Sequence, residues 1–149
     1  MPHKALKPGE ITTDVPLGQD ATLGFIGHVE TPWKRLQDCP KRAPLDGPDS
    51  TVVLTPPWDR ALEGIERFDH LDLFLWFHRA RRDLLVIDPS HGGGLRGVFA
   101  LRSPVRPNPV AVTTVALVAR QGNRLIVRGL EALDGTPLID IKPGRCPNA

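Results

Sequence analysis

The 149-residue sequence predicts a mainly β protein, and three observations lead to that prediction. Its apolar segments are short, turn-forming residues separate them, and no alternation of strands with helices is visible. The segments between them are rich in proline and glycine, which predicts long loops and only one or two short helices. This pattern is typical of an all-β barrel or sandwich.

Length and composition predict one compact domain preceded by a tail. Residues 1–20 lack periodicity and predict a flexible N-terminal tail or arm, so we assign the domain to residues 21–145. No apolar stretch approaches the roughly 20 residues that cross a bilayer, and the N-terminus lacks the apolar segment of a secretion signal. We therefore expect a cytoplasmic protein without membrane association. Cys39 and Cys146 belong to no CxxC pair, so we expect free thiols.

Six segments carry strand patterns. The third, residues 69–78, is apolar on both faces from Leu73 onward, which predicts a central strand buried on both sides. Gly122-Asn123 and Asp134-Gly135 predict tight hairpin turns. In chain order, the predicted strands are residues 21–29, 51–54, 69–78, 110–119, 124–130 and 137–141.

One segment carries a helix pattern. Pro57 suits the first turn of a helix, and the acidic Asp59 follows it within that turn. We expect a helix that extends to Ile65 and is the one substantial helix of the chain.

Three apparent motifs lack the context that their chemistry requires. Gly92 to Gly97 has the spacing of a dinucleotide-binding fingerprint, but Pro104 leaves no room for the helix that this motif must begin. His91 to Gly94 resembles a lipase oxyanion sequence, but the chain contains no G-x-S-x-G. His70 and His78 lie roughly 26 Å apart along a regular strand, so they cannot share a metal ion. We predict no metal site.

The segment Arg102-Ser103-Pro104-Val105-Arg106-Pro107-Asn108-Pro109 has an unusual proline spacing. Prolines fix φ, so the loop should be stiff and should lose little entropy when its polar side chains bind a ligand. Arginine binds carboxylates and phosphates through paired hydrogen bonds, which makes Arg102 and Arg106 candidate binding residues. The alternatives are a rigid surface turn and a proline-rich ligand for a partner domain.

The segment from Gly129 to Pro143 is a second candidate for ligand binding. A carboxylate such as Asp134 on a sharp turn can accept hydrogen bonds from a ribose diol or an amino group. Gly135 would allow a ligand to approach the backbone. The alternative is that these two residues only form the turn of a hairpin.

Together these residues resemble the TsaA/TrmO-like family. The resemblance extends from about Leu23 to Pro143, which is nearly all of the chain after the tail. Its principal residues are Gly97-Val98-Phe99-Ala100, the segment 102–109, Leu133-Asp134-Gly135-Thr136-Pro137 and Asp140-Ile141-Lys142-Pro143. Further matches are Ile26-Gly27, Pro32, Cys39-Pro40-Lys41, Gly64-Ile65-Glu66, Phe68-Asp69-His70-Leu71 and Phe77-His78.

The resemblance implies a small β-barrel that forms a homodimer and binds S-adenosylmethionine without a Rossmann fold. It also implies methylation of N6-threonylcarbamoyladenosine in tRNA. The implied cofactor-binding residues are Pro40, Lys41, Arg42, His78, Arg79, Arg102, Leu133, Asp134, Gly135 and Thr136, and the implied acceptor-side residues are Arg106, Asn108 and Lys142. The sequence departs from the family at Arg42, where Gln is frequent, and at Gly144, where Tyr is frequent.

Methyl transfer to a nitrogen depends mainly on alignment of donor and acceptor. Because the acceptor nitrogen must lose a proton, His78 or a carboxylate such as Asp134 is the candidate catalytic base. Trp76, Phe77 and Phe99 are candidates for lining the cofactor slot, or else they pack in the core. Two other functions remain open at this point, a methyltransferase of a small metabolite and a non-catalytic module that binds S-adenosylmethionine or RNA.

Overall fold

The computed structural model describes residues 5–89 and 92–144, and the regular structure of this part of the chain is almost entirely β. The mainly β fold class is therefore confirmed. The strands are β1 (Ile11–Thr12), β2 (Gly27–Glu30), β3 (Asp49–Leu54), β4 (His70–Trp76), β5 (Leu84–Ile87), β6 (Arg96–Gly97), β7 (Val110–Gln121), β8 (Arg124–Arg128) and β9 (Pro137–Pro143). Short 3-10 helices span Leu36–Asp38, Trp58–Leu62, Ile65–Arg67 and Val98–Ala100. His91, Cys146 and the predicted domain end at residue 145 lie outside the described residues.

The chain divides into two compact units, and the larger contains residues 23–76 and 111–144 of the described chain. Its strands form a closed barrel in the order β2-β3-β8-β7-β4-β9. β2 pairs antiparallel with both β3 and β9, which closes the ring. Closure leaves no unpaired sheet edge in the barrel.

Alternate side chains of the strands fill the barrel interior. Leu71, Leu73 and Leu75 of β4 are fully buried, whereas Phe74 and Trp76 on the opposite face are only half-buried. The prediction of a strand buried on both sides is therefore wrong, because only one face of each strand in a closed barrel points inward. The other fully buried residues of the barrel strands are Val29, Val52, Leu54, Val115, Leu125, Val127 and Leu138.

The first barrel strand is shorter than predicted. It begins at Gly27 instead of residue 21, and the preceding Ile26 accepts a hydrogen bond from Thr55 N at 2.9 Å. Pro56 and Pro57 follow Thr55 and lack backbone N–H groups, so the ladder on that side cannot continue. The residues before Ile26 therefore have no donors on β3 with which to pair.

The predicted helix over residues 57–65 is also wrong. The structure has two short 3-10 helices there, Trp58–Leu62 and Ile65–Arg67. Gly64 between them adopts a left-handed conformation with φ of 79°, which interrupts helical hydrogen bonding.

The smaller unit contains described residues from 5–22 and 77–110. A three-stranded sheet in the order β1-β5-β6 packs with the 3-10 helix Val98–Ala100. Leu84, Ile87 and Val98 are buried in a small apolar cluster, and Leu101 and Val105 pack against it. The sequence patterns did not separate this unit from the barrel.

Part of the N-terminal segment is an ordered arm of the smaller unit. Thr13 N donates to Asp83 O at 2.8 Å, and Lys7 Nζ donates to Asp88 O at 2.7 Å. Glu10 accepts hydrogen bonds from the backbone N–H groups of Lys7 and Asp88, and these bonds lower the pKa of its carboxyl. Residues 7–13 are thus attached to β5 and its flanks.

In the part of the chain that the structure describes, no helix has the length and hydrophobicity that a membrane span requires.

Candidate functional site

The turn between β8 and β9 contains the predicted binding residues Leu133 to Thr136. Gly135 has φ of 81°, and a Cβ added there would meet no atom within 4 Å, so glycine is required by conformation and not by packing. Gly135 N donates to Val29 O, and Asp134 N donates to Trp33 O, both at 2.8 Å. These bonds fix the turn against the end of β2 while Gly135 remains exposed.

The Asp134 carboxylate is oriented by two donors. Thr31 N donates to its Oδ1 at 2.8 Å, and Lys34 Nζ lies 2.7 Å from its Oδ2. The hydrogen bond from Lys34, supported by that from Thr31, lowers the pKa of Asp134 below its ordinary value. A lowered pKa makes the carboxylate a weaker base and a better permanent acceptor, so this geometry favours binding over proton abstraction at Asp134.

Leu133 and Thr136 support the turn from beneath. Both side chains are buried, and Thr136 Oγ1 donates to Leu133 O at 2.6 Å. Thr31 Oγ1 donates to Ala132 O at 2.8 Å, which ties the same segment to the end of β2. Leu133 and Thr136 can therefore offer a ligand mainly their backbone atoms.

The loop with Pro40, Lys41 and Arg42 is attached close to this turn. The next residue, Ala43, donates its backbone N–H to Glu131 Oε1 at 2.8 Å, and Glu131 lies two residues before Leu133. Lys41 and Arg42 are exposed. Within the larger unit, the structure thus brings together two of the predicted cofactor-binding segments.

In the smaller unit, His78 and Arg79 are exposed on a turn that follows β4. Ala80 N donates to Phe77 O at 3.0 Å across this turn, and Phe77 N donates to Pro109 O at 2.9 Å. The second bond places the start of the turn beside the end of the proline-rich segment.

The proline-rich segment is held by arginines. Arg82 donates from Nε to Pro107 O at 2.6 Å and from Nη2 to Asn108 Oδ1 at 3.1 Å. Arg106 Nη1 donates to Leu101 O at 2.7 Å and to Ser103 O at 3.2 Å. Arg106 and Asn108 thus have roles in loop structure besides the expected role toward the acceptor. Arg102 precedes them and is exposed.

Lys142 lies apart from the Asp134 turn within the larger unit. It follows Thr136 by six positions on β9, which corresponds to roughly 20 Å along a strand. Its Nζ is 3.2 Å from Asp140 Oδ2 and 5.8 Å from the centre of the Phe74 ring. The structure therefore does not bring Lys142 together with the predicted cofactor-binding residues 133–136 of its own unit.

Sequence patterns did not identify three residues that organise these segments. Thr31 and Lys34 orient the Asp134 carboxylate, and Arg82 fixes the proline-rich segment. Their partners lie 25 to 103 positions away in the sequence, so local patterns carry no signal for these contacts.

A family model described as the tRNA-methyltransferase O N-terminal domain matches residues 28–145. Those residues include every candidate site residue identified from the sequence.

The chain is also similar to individual proteins. One relative is the "Probable S-adenosyl-L-methionine-binding protein VirR" of Rhizobium radiobacter, which is 41% identical over 94% of this chain and 80% of that protein. An "S-adenosyl-L-methionine-binding protein" of Archaeoglobus fulgidus is 38% identical over 78% of this chain and 84% of its own length. A crystal structure of TrmO from Pseudomonas aeruginosa superimposes with a TM-score of 0.71 at 33% identity and covers 89% of this chain. This chain spans only 58% of that structure.

Proposed function

Since the chain belongs to the TsaA/TrmO-like family of S-adenosylmethionine-dependent methyltransferases, we propose that it binds S-adenosylmethionine and methylates a nucleoside of tRNA. The observation that carries this proposal is the match of residues 28–145 to the N-terminal domain model of a tRNA methyltransferase. The proposed acceptor is N6-threonylcarbamoyladenosine, as the resemblance in the sequence implies. The proposed assembly and location are a homodimer in the cytoplasm.

The residues present fit the chemistry of the cofactor. A ribose diol needs a fixed acceptor, and each oxygen of the ionised Asp134 carboxylate has a further lone pair beside the bond to Thr31 or Lys34. The methionyl carboxylate needs a cation, and Lys41, Arg42 and Arg102 are exposed cations of the candidate segments. The open space at Gly135 would leave the backbone of the turn accessible to the ligand.

When bound, S-adenosylmethionine supplies an electrophilic methyl group on a positively charged sulfur. Under this proposal, Asp134 and the backbone of residues 133–136 orient the nucleoside part of the cofactor, and Arg102 binds its carboxylate. Because Asp134 has a lowered pKa, His78 is the better candidate for accepting the proton that the acceptor nitrogen loses. Alignment of the two substrates would supply most of the rate enhancement.

The test of this proposal is a transfer assay with isotopically labelled S-adenosylmethionine and tRNA isolated from cells that lack the corresponding methylation. Mass spectrometry of the digested nucleosides identifies the product. We expect one labelled nucleoside with the mass of methylated threonylcarbamoyladenosine, and His78→Ala should reduce its formation by about 100-fold, the usual contribution of a general base. Label on a different nucleoside would refute the acceptor, and unchanged turnover in His78→Ala would refute the base.

A second candidate function is a module that binds S-adenosylmethionine without catalysis. Two of the relatives are named only as S-adenosylmethionine-binding proteins, and the chain spans little more than half of the TrmO structure that it matches. This candidate predicts saturable binding of the cofactor and no label on any RNA in the same assay.

A further inference from the structure

The smaller unit displays an aromatic ring that its own fold does not bury. Phe99 lies in the 3-10 helix Val98–Ala100 and is 79% exposed, the largest value among the large apolar residues described. Its neighbour Val98 is 2% exposed, because it belongs to the apolar cluster with Leu84 and Ile87. The short helix is therefore anchored through Val98 while Phe99 projects from the surface. Core packing does not account for Phe99.

Arg106 stabilises this ring in place. Its guanidinium carbon lies 5.9 Å from the centre of the Phe99 ring, a distance at which a cation attracts the π system. The same guanidinium donates to Leu101 O and Ser103 O, so the group is already fixed before any ligand arrives. A stacked ligand would thus find both the ring and its cation preorganised.

The segment that carries Arg106 is itself rigid. Pro104, Pro107 and Pro109 restrict its backbone, and Arg82 donates two hydrogen bonds to it at Pro107 and Asn108. Little conformational entropy remains to be lost when this surface binds a partner.

The charge of the surrounding segment indicates the class of the ligand. Residues 77–110 contain six arginines and two aspartates, and one of the arginines, Arg81, is paired with Asp83. An exposed aromatic ring beside an arginine, in a segment with more arginines than acidic residues, is a combination that suits single-stranded nucleic acid, in which bases stack on the ring and phosphates contact cations.

We propose that Phe99, held by Arg106, is a stacking platform for an unpaired base of the RNA acceptor. This inference rests on the proposed function, in which RNA is the acceptor. Stacking on an aromatic ring tolerates any base, so the platform would position the RNA strand and leave recognition of the modified base to other residues.

The test uses fluorescence anisotropy with a fluorescein-labelled RNA hairpin whose single-stranded loop contains adenosine, and a second hairpin with an abasic position in its place. Base stacking on an aromatic side chain corresponds to about a 5- to 150-fold change in affinity. We expect wild type to bind the abasic hairpin on the order of tenfold more weakly than the intact one. Phe99→Leu should bind the intact hairpin with that same weakened affinity and should no longer distinguish the two RNAs, whereas Phe99→Trp should still distinguish them.

Phe68→Leu is the matched control, because Phe68 is a partly exposed ring of the larger unit outside the candidate segments. It should bind both hairpins as wild type does. Equal affinity of Phe99→Leu and wild type for the intact hairpin would refute the platform while leaving the proposed function in place. Absence of hairpin binding by wild type would also refute the platform, and the transfer assay with tRNA would then decide separately whether RNA is the acceptor.

Two further readouts separate the platform from other uses of the ring. A larger loss of affinity for S-adenosylmethionine than for the hairpin in Phe99→Leu would assign the ring to the cofactor and overturn the proposal. A change of oligomeric state in sedimentation velocity would assign it to contact with a second copy of the chain, with the same consequence.

Discussion

Asp134 illustrates how far a single residue can be interpreted from sequence. The Asp134-Gly135 pair predicts a tight turn correctly, because left-handed backbone conformation is a local requirement that glycine meets. The predicted hairpin at this turn is wrong, because β9 pairs with β2 and β4 and not with β8. The two bonds that orient its carboxylate come from Thr31 and Lys34, 103 and 100 positions earlier, and depend on the position of the chain after β2 beside this turn. No local pattern contains that information.

Replacement of Lys34 should change the acidity of Asp134. In Lys34→Gln the pKa of Asp134 should rise toward the ordinary value of about 3.9, because the principal cause of its lowering is removed. The measurement is an NMR titration of the Asp134 side-chain carboxyl carbon. Lys142→Gln is the control, since its ion pair is with Asp140 and not with Asp134. An unchanged Asp134 pKa in Lys34→Gln would contradict the electrostatic account of this site.

The sign of the associated stability change follows from the direction of the shift. A carboxyl with a lowered pKa in the folded state stabilises the fold above its unfolded pKa, and this contribution is lost as the pH falls through the lowered value. When the pH is lowered from about 4, the free energy of unfolding of wild type should therefore decrease more than that of Lys34→Gln.

Gly135 should tolerate substitution poorly despite the open space around it. Gly135→Ala should lower the free energy of unfolding by about 1–2 kcal/mol, because an L residue at φ of 81° is strained. Gly24→Ala is the matched control, since Gly24 also has open space and its φ lies outside the left-handed region. Urea denaturation of both variants measures the difference. Equal stabilities would show that the turn relaxes without cost.

At the scale of elements, the sequence predicted which segments form barrel strands better than it predicted where those strands begin and end. The hairpin of β7 and β8 was correct because Gly122 and two alternating segments specify it locally. The predicted start of β2 was wrong because the pairing of β2 is limited by Pro56 and Pro57, which follow β3. The predicted helix was wrong because Gly64 interrupts it. Features of one element that depend on a distant partner element therefore cannot be predicted from local sequence patterns.

Arg82 should act as a positioning residue for the proline-rich segment. Arg82→Ala removes the hydrogen bonds to Pro107 and Asn108 and should speed amide hydrogen exchange of residues 101–106 by about tenfold, which corresponds to roughly 1.4 kcal/mol of local stability. Arg60→Ala removes an exposed arginine from the larger unit and should leave those amides unaffected. Exchange is followed by mass spectrometry at neutral pH. If Arg82→Ala protects these amides as wild type does, the prolines alone hold the segment.

Gly144, which stands where the family frequently has Tyr, contacts the start of β4. Its N–H donates to His70 O at 2.9 Å, and a Cβ there would lie 2.9 Å from the same carbonyl group. The close approach of the chain after β9 to the start of β4 therefore favours glycine over a bulky residue in this protein.

At the scale of the whole molecule, the barrel and the family resemblance were both predictable from sequence, but the smaller unit, which combines residues from 5–22 with residues from 77–110, was not. Its apolar cluster is small and drawn from segments without regular periodicity. The candidate binding residues are divided between the two units, and each unit preorganises its own set.

The most direct test of the account is a calorimetric titration of the chain with S-adenosylmethionine. We predict saturable binding with one site per chain, and Arg102→Ala should weaken it by about 10- to 100-fold because an ionic hydrogen bond to the methionyl carboxylate is lost. Arg60 lies outside the candidate segments, so Arg60→Ala should bind S-adenosylmethionine with the affinity of wild type. If wild type shows no saturable binding, the chain is not an S-adenosylmethionine-binding protein and the proposed function is wrong.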